Sequence, residues 1–330
     1  MRAQKSWQTI YEKSPLSKTA RALHERELST RVIHFTESEV LWECRTIQTT
    51  EGWPTENVAS CSEYPNTAPR ILDALANLGE RDVFDIWNQA VANYTYRISS
   101  KSGDTDALLG NLAHLFKKHI SGGYIAGAWE EDFLRSLVWG IRSDRLSGMG
   151  PARRYERYIA PSWSWASIDG PISFETLSRA RVPRITDIHQ RGSPRIISHH
   201  VDLAGPDPFG RISTAYLKVS APLIRGVLGY DGTRNSTGIG PQLRDFTDQN
   251  ILGTAVFDVI VERLPLKVVT CLYLFSTNTR DATNDEELTG LGLALLPVED
   301  REVTYTRVGY IQDLKLKYFE GGKVHDITII

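Results

Sequence analysis

At 330 residues, 41% of them apolar and 24% charged, the chain has material for one large domain or two ordinary ones around a sizeable core. Its 38 basic and 40 acidic residues leave a net charge of −2, which gives no electrostatic case for nucleic acid as a partner. Cys44, Cys61 and Cys271 are widely spaced and show neither a CxxC nor a zinc pattern, so a reducing compartment fits them; no apolar signal core or membrane-length apolar run appears.

In chain order, Lys18 to Phe35 passes from a charged helical piece into a short strand, Val32 to Phe35. A second strand, Val40 to Cys44, follows the turn Thr36 to Glu39, so the two predict a hairpin with a four-residue connection. An apolar edge exposed around these strands would invite pairing with another chain. Residues 46 to 69 are rich in Thr, Ser, Asn and Pro and read as an irregular excursion. Helix resumes near Val83, where Phe84, Trp87, Val91 and Tyr94 recur at three- and four-residue steps. After a break at Ser99 to Gly103, Asp104 is a natural N-cap for a helix from about Thr105 to His119, with Leu108, Leu112, Leu115 and Phe116 inward.

The most informative stretch runs from Gly123 to Ile172 and carries Trp129, Trp139, Trp163 and Trp165. Phe133, Leu134, Leu137, Val138 and Ile141 predict a helix beginning at Glu130, with Glu130, Glu131 and Asp132 in its first turn and Gly148, Gly150 and Pro151 closing it. Ser162 to Ser167 alternates small polar with large apolar residues, the period of a half-buried strand. Trp163 and Trp165 would then share one face, as a stacking shelf for sugar or peptide or, the expectation here, as core plugs. Arg153, Arg154 and Arg157 form a basic cluster read as a solvated loop.

Beyond Ile172 the expected strands are Thr214 to Ser220, Leu223 to Leu228, Thr254 to Val261, Val268 to Ser276, Leu291 to Val298, Tyr305 to Tyr310 and Ile327 to Ile330. No helix-length segments separate them, so an antiparallel sandwich or barrel-like sheet is expected. Residues 175 to 210 and 229 to 250 read as long loops.

Recognisable catalytic motifs are missing: there is no P-loop, no GxGxxG, no HExxH and no GxSxG. Gly290-Leu291-Gly292 reads as a tight turn before a strand. His24 beside Glu25 could exchange a proton, but neighbours on a helix point about 100° apart, so a surface His and a structural Glu are expected. His199-His200 is read as a solvated pair in a polar loop.

Three passages of the central stretch carry a family resemblance: Tyr124-Ile125-Ala126-Gly127-Ala128-Trp129, then Leu137-Val138-Trp139, then Ala160-Pro161-Ser162-Trp163-Ser164-Trp165-Ala166-Ser167-Ile168-Asp169-Gly170-Pro171. In this order they resemble the C-terminal region of fungal heterokaryon-incompatibility (HET) domain proteins. Glu25 to Arg31 with Phe35, Leu41 to Arg45, Trp87 to Tyr94 with Arg97 and Asp104, and the closing Ile327 to Ile330 are similar to further passages of that family. The family's HET domain ends at an R-x-W-x-x-Q-E passage, matched here by Thr19, Arg21 and His24, with only Glu25 kept. The resemblance therefore implies that most of the HET domain lies outside this sequence. It also implies an association with non-self recognition and cell death after hyphal fusion. The HET domain has been likened to the TIR fold, some members of which cleave NAD.

The combined expectation is an α+β protein, a helical N-terminal half packed on an antiparallel β-rich, sandwich or barrel-like C-terminal half. Residues 1–45 would be the end of a HET domain with a β-hairpin, 46–150 a helical region, and 151–330 a β-rich region. The expected role is a cytoplasmic, non-catalytic interaction or regulatory module with a protein partner, without nucleic acid, membrane, cofactor, metal or catalytic residues. The rival reading is an NAD-consuming enzyme or hydrolase acting through Glu25 and a pocket between helices and sheet.

Overall fold

A computed structural model describes residues 7–44, 46–54, 70–76, 78, 82–97, 105–142, 151–179, 194–229, 241–247, 250–259, 268–276, 289–319 and 321–330. It forms two compact units, Met1–Ser121 and Gly122–Ile330. The boundary falls inside the 46–150 stretch that the sequence suggests as one helical region.

The first unit mixes helices with a small sheet. Helix α1 (Trp7–Lys13) is followed by α2 (Ala20–Leu28), which starts where the Thr19 hydroxyl accepts from the Ala22 N–H at 3.2 Å. Strands β1 (Arg31–Phe35), β2 (Val40–Cys44) and β3 (Gln48–Thr50) form an antiparallel sheet in the order β1-β2-β3. The expected hairpin is present, its turn closed by the Thr36 hydroxyl accepting from Ser38 and Glu39 N–H groups. Strand β3 lies inside the expected irregular excursion, whose residues 55–69 are outside the described ones. Short helix α3 (Ile71–Ala76) precedes α4 (Val83–Arg97) and α5 (Thr105–Phe116). The expected α4 stripe is buried at Trp87, Val91 and Tyr94, and Trp87 meets Phe116 of α5 edge-on at 5.0 Å. The Asp104 cap and the break before it lie outside the described residues, as does the side chain of Leu108.

The second unit begins with a tight hairpin, β4 (Tyr124–Ile125) and β5 (Ala128–Trp129). Its two turn residues have φ of 47° at Ala126 and 99° at Gly127, as a two-residue hairpin loop requires. The long helix expected from Glu130 is absent. A 3-10 turn (Glu130–Asp132) leads into a four-residue helix α6 (Phe133–Ser136), and the chain is extended again by β6 (Gly140–Ile141). Every residue from Asp132 to Gly140 is buried, and the Leu137 and Trp139 carbonyls bond to a side chain instead of continuing a helical ladder. Gly148 and Gly150 fall outside the described residues.

The SWSWAS passage is not a strand either. It follows β7 (Arg153–Arg154) as a turn and a 3-10 helix (Trp165–Ser167), then runs into β8 (Ile168–Asp169), β9 (Ile172–Ser173) and α7 (Glu175–Arg179). Its serines bond to nearby backbone, with Ser164 accepting from Ala166 N–H at 3.1 Å and Ser167 donating to the Ser164 carbonyl at 2.7 Å. Such local bonds compete with a strand ladder and here replace it.

The remaining strands, all in one sheet, are β10 (Arg195–Leu203), β11 (Ile212–Gly229), β12 (Gln242–Arg244), β13 (Ile251–Phe257), β14 (Val268–Ser276), β15 (Thr289–Pro297), β16 (Thr304–Lys315) and β17 (Val324–Ile329). Antiparallel pairing runs β11-β12-β13-β16-β15-β14, and the second half of β11 also pairs with β14, so these strands close on themselves. The barrel alternative of the expected β architecture is therefore the one observed. The first half of β11 leaves the closure, pairing with β10 and β17. The two strands expected at 214–220 and 223–228 are thus one long strand serving two neighbourhoods. The barrel interior is filled by Leu228, Leu243, Leu252, Ala255, Val269, Cys271, Ala294, Ile311 and Leu314. Gly292 is within β15 rather than in a turn, and a Cβ there would stand 2.6 Å from the Leu272 carbonyl of the neighbouring strand. The expected loop at 175–210 contains α7 and β10, and that at 229–250 contains β12.

Candidate functional site

The unusual residues of the second unit converge on one buried junction. In β16, Arg307 is fully buried. Its Nε and Nη2 donate to the two oxygens of Asp258 at 3.1 and 2.9 Å, a bidentate pair with a carboxylate that is also fully buried. Nη1 donates to the Leu137 carbonyl at 2.7 Å and Nη2 to that of Trp139 at 2.6 Å. The guanidinium stacks on the Trp139 ring, 3.5 Å from its centroid. Burial lowers the Arg307 pKa, and the Asp258 carboxylate opposes that shift.

The other two passages join the same junction. Trp139 Nε1 donates to the Trp163 carbonyl at 3.0 Å. Ser162 accepts from the Arg307 N–H at 2.9 Å, and both its hydroxyl and its N–H donate to the Ile330 backbone oxygen. Ser164 donates to the Ala126 carbonyl at 2.5 Å and Trp165 Nε1 to that of Gly127 at 2.9 Å, which pins the β4–β5 turn. A Cβ on Gly127 would lie 2.8 Å from Trp165 Nε1, so only glycine fits beneath that indole. Arg154 donates to the Arg307 carbonyl at 2.7 Å and reaches Asp258 at 3.4 Å, so this member of the basic cluster is not solvated as expected. Arg153, in contrast, is exposed and pairs with Asp169 at 3.1 Å. Trp163 and Trp165 are 1% and 4% exposed, which removes the stacking shelf and confirms core packing.

The first unit has its own buried centre on the inner face of the β1–β2 hairpin. Glu43 is completely buried and accepts from Arg26 at 2.6 and 2.9 Å, from His34 at 2.8 Å and from Gln48 at 3.3 Å. Burial alone would raise its pKa, but the hydrogen bonds from His34 and Arg26 outweigh it and bring it to about 2. The Arg26 guanidinium lies 4.7 Å over the Tyr11 ring, with Trp7 stacked on Tyr11 and His34 edge-on to both. Nearby, Glu27 accepts from Ile71 N–H at 2.6 Å, and Arg70 donates to the Arg26 carbonyl at 2.5 Å and to that of Ser29, closing the end of α2.

Chemically, both centres are ion pairs whose oxygens are occupied by donors inside the fold. Glu43 held as a permanent carboxylate with its lone pairs filled is an anchor, not a proton acceptor at neutral pH. Glu25 faces out of α2, 64% exposed, with Arg21 at 3.0 Å as its partner. His24 is half-buried, its pKa lowered by burial, and shares no hydrogen bond with Glu25 among the described contacts. His199 and His200 stand on β10 rather than in a loop, with His200 2.9 Å from Asp202 and stacked on Tyr216. Among the described residues no cluster of His, Cys, Asp or Glu could hold a metal ion, and no helix is long and apolar enough to cross a membrane.

Sequence reasoning missed Asp258, Arg307 and the role of Glu43. A signal existed for two of them: Arg307 interrupts an apolar strand run, and Glu43 shares the inward alternation of Leu41. A charge at an inward strand position implies a buried partner. Comparison with protein-family models, curated proteins and solved structures returns no match.

Proposed function

We propose that this chain is a non-catalytic protein-interaction module of the HET type, acting in the cytoplasm in fungal non-self recognition. One observation carries the reading: the Tyr124–Trp129, Leu137–Trp139 and Ala160–Pro171 passages meet in a single hydrogen-bonded junction around Arg307, which is distant from all three in sequence. Residues that define the resemblance are consumed in holding the scaffold, which leaves the surface to carry the activity. No cofactor, metal or nucleic acid enters this reading.

The test is expression of the chain in one of two filamentous strains that die on fusion, and in a compatible pair. A change in the death of fused cells that persists in Glu25→Gln supports the module. Unchanged fusion outcomes in both pairs overturn it. Incubating the purified chain with NAD separates the rival: nicotinamide release abolished by Glu25→Gln would replace this reading with an enzymatic one.

A further inference from the structure

The outer edge of β1 is built differently from that of β10, an edge strand of the large sheet. Backbone bonds from Cys44 N–H to Ile47 and from Glu51 N–H to the Val40 carbonyl show that Val40, Trp42 and Cys44 direct their backbone groups to β3. Leu41 and Glu43 therefore serve β1, opposite His34 and Val32. The N–H and C=O groups of Arg31, Ile33 and Phe35 point away from the sheet, and among the described residues no strand pairs with them.

The same three residues have exposed side chains, with Ile33 51% and Phe35 76% accessible. Edges of this kind are normally blunted by bulges, charges or proline. Strand β10 is so protected: its pairing is broken by two irregularities and it carries His199, His200 and Asp202. Strand β1 pairs without a bulge and places a β-branched residue and an aromatic on the open side.

We propose that β1 is a self-association edge, pairing antiparallel with β1 of a second copy about a two-fold axis at Ile33. The occupant follows from the symmetry of the strand. With Ile33 opposite Ile33 of the second copy, every outward-facing residue finds an outward-facing partner, because Arg31 then stands opposite Phe35 of that copy. That places a guanidinium against an exposed aromatic ring. An isologous contact needs this self-complementarity of charge and shape. The inference holds whether or not the chain acts in incompatibility.

Sedimentation velocity of the intact chain, from low micromolar to several hundred micromolar, tests it. Ile33→Pro deletes an N–H that faces outward, so the β1–β2 bonds survive while both central intermolecular bonds are lost. Ile33→Lys keeps the backbone and sets two ammonium groups against each other at the axis. The expected result is a reversible dimer in the parent chain, weakened about thirtyfold or more in each variant. A parent chain that stays monomeric throughout overturns the proposal. So does a dimer that persists unchanged in Ile33→Lys with a native circular dichroism spectrum.

Discussion

Replacing Asp258 by Asn takes the carboxylate from a guanidinium that has no access to solvent. Arg307 would keep its stacking on Trp139 and its two carbonyl partners, but its charge would stand uncompensated in the interior. Breaking a buried pair in this way costs about 3–5 kcal/mol, a large share of the roughly 5–15 kcal/mol that holds a typical domain folded. Arg307→Met acts through a different loss. Asp258 retains Arg154 at 3.4 Å, whose side chain is 29% exposed, so the anion is not stranded. The Leu137 and Trp139 carbonyls lose their donors instead, at about 1–3 kcal/mol each.

The double variant separates the two effects. With neither charge present, its destabilisation should be close to that of Arg307→Met alone, so the singles should sum to about 3–5 kcal/mol more than the double. Urea unfolding followed by tryptophan fluorescence measures all three, since the Trp139 ring lies against the guanidinium. Single variants that add to the double within about 0.5 kcal/mol would refute the reasoning, because independent sites behave that way.

The first unit has a pH-dependent counterpart. Glu43 is held at about 2 against an ordinary 4.5, so its contribution of about 3 kcal/mol is present above pH 4.5 and is lost as pH falls towards 2. Glu27, raised by burial, works in the opposite sense, so the difference between the parent chain and Glu43→Gln in acid unfolding isolates the Glu43 slope. Gly127→Ala should destabilise the second unit by about 2–4 kcal/mol, since it adds a clash with Trp165 to a positive φ. Gly321→Ala, at φ 71° with open space around the added carbon, should cost only about 1 kcal/mol in the same thermal melt. Thiol titration of the native protein should label Cys44, whose pKa is lowered by its hydrogen bond with Thr46, while Cys271, buried in the barrel, reacts only on unfolding.

Elements stabilised by their own local pattern were legible in the sequence. The β1–β2 hairpin and α4 follow from alternation and from a three-to-four-residue stripe, and Val268–Ser276 is a strand over its whole expected length. The centre of the chain was not legible, because long-range bonds override its local periods. The apolar stripe from Phe133 to Ile141 has helical spacing, yet Arg307, some 170 positions away, binds the Leu137 and Trp139 carbonyls where a helix would have continued. Ser162 to Ser167 alternates like a strand, yet Ser164 and Trp165 are committed to the turn at Ala126–Gly127. Ala221-Pro222 lies between the two strands expected within β11. There the chain exchanges its β17 partner for β14 without leaving the extended state.

The same residues explain why a distinctive motif need not be an active centre. An alternation of serine and tryptophan supplies short hydroxyls that reach backbone carbonyls and indoles that fill volume, with Trp165 also donating a hydrogen bond to the Gly127 carbonyl. That combination suits a place where several irregular segments must be fixed without a regular ladder between them. Here it ties the β4–β5 turn, the segment after α6, strand β16 and the end of β17 into one unit. A substitution at Trp165 or Ser162 would therefore impair any activity through loss of folded protein. Loss of function at these positions carries no information about chemistry unless folding is measured beside it. Function separable from folding has to be sought on residues whose removal leaves the junction intact, and Ile33 and Phe35 on the open edge of β1 meet that condition.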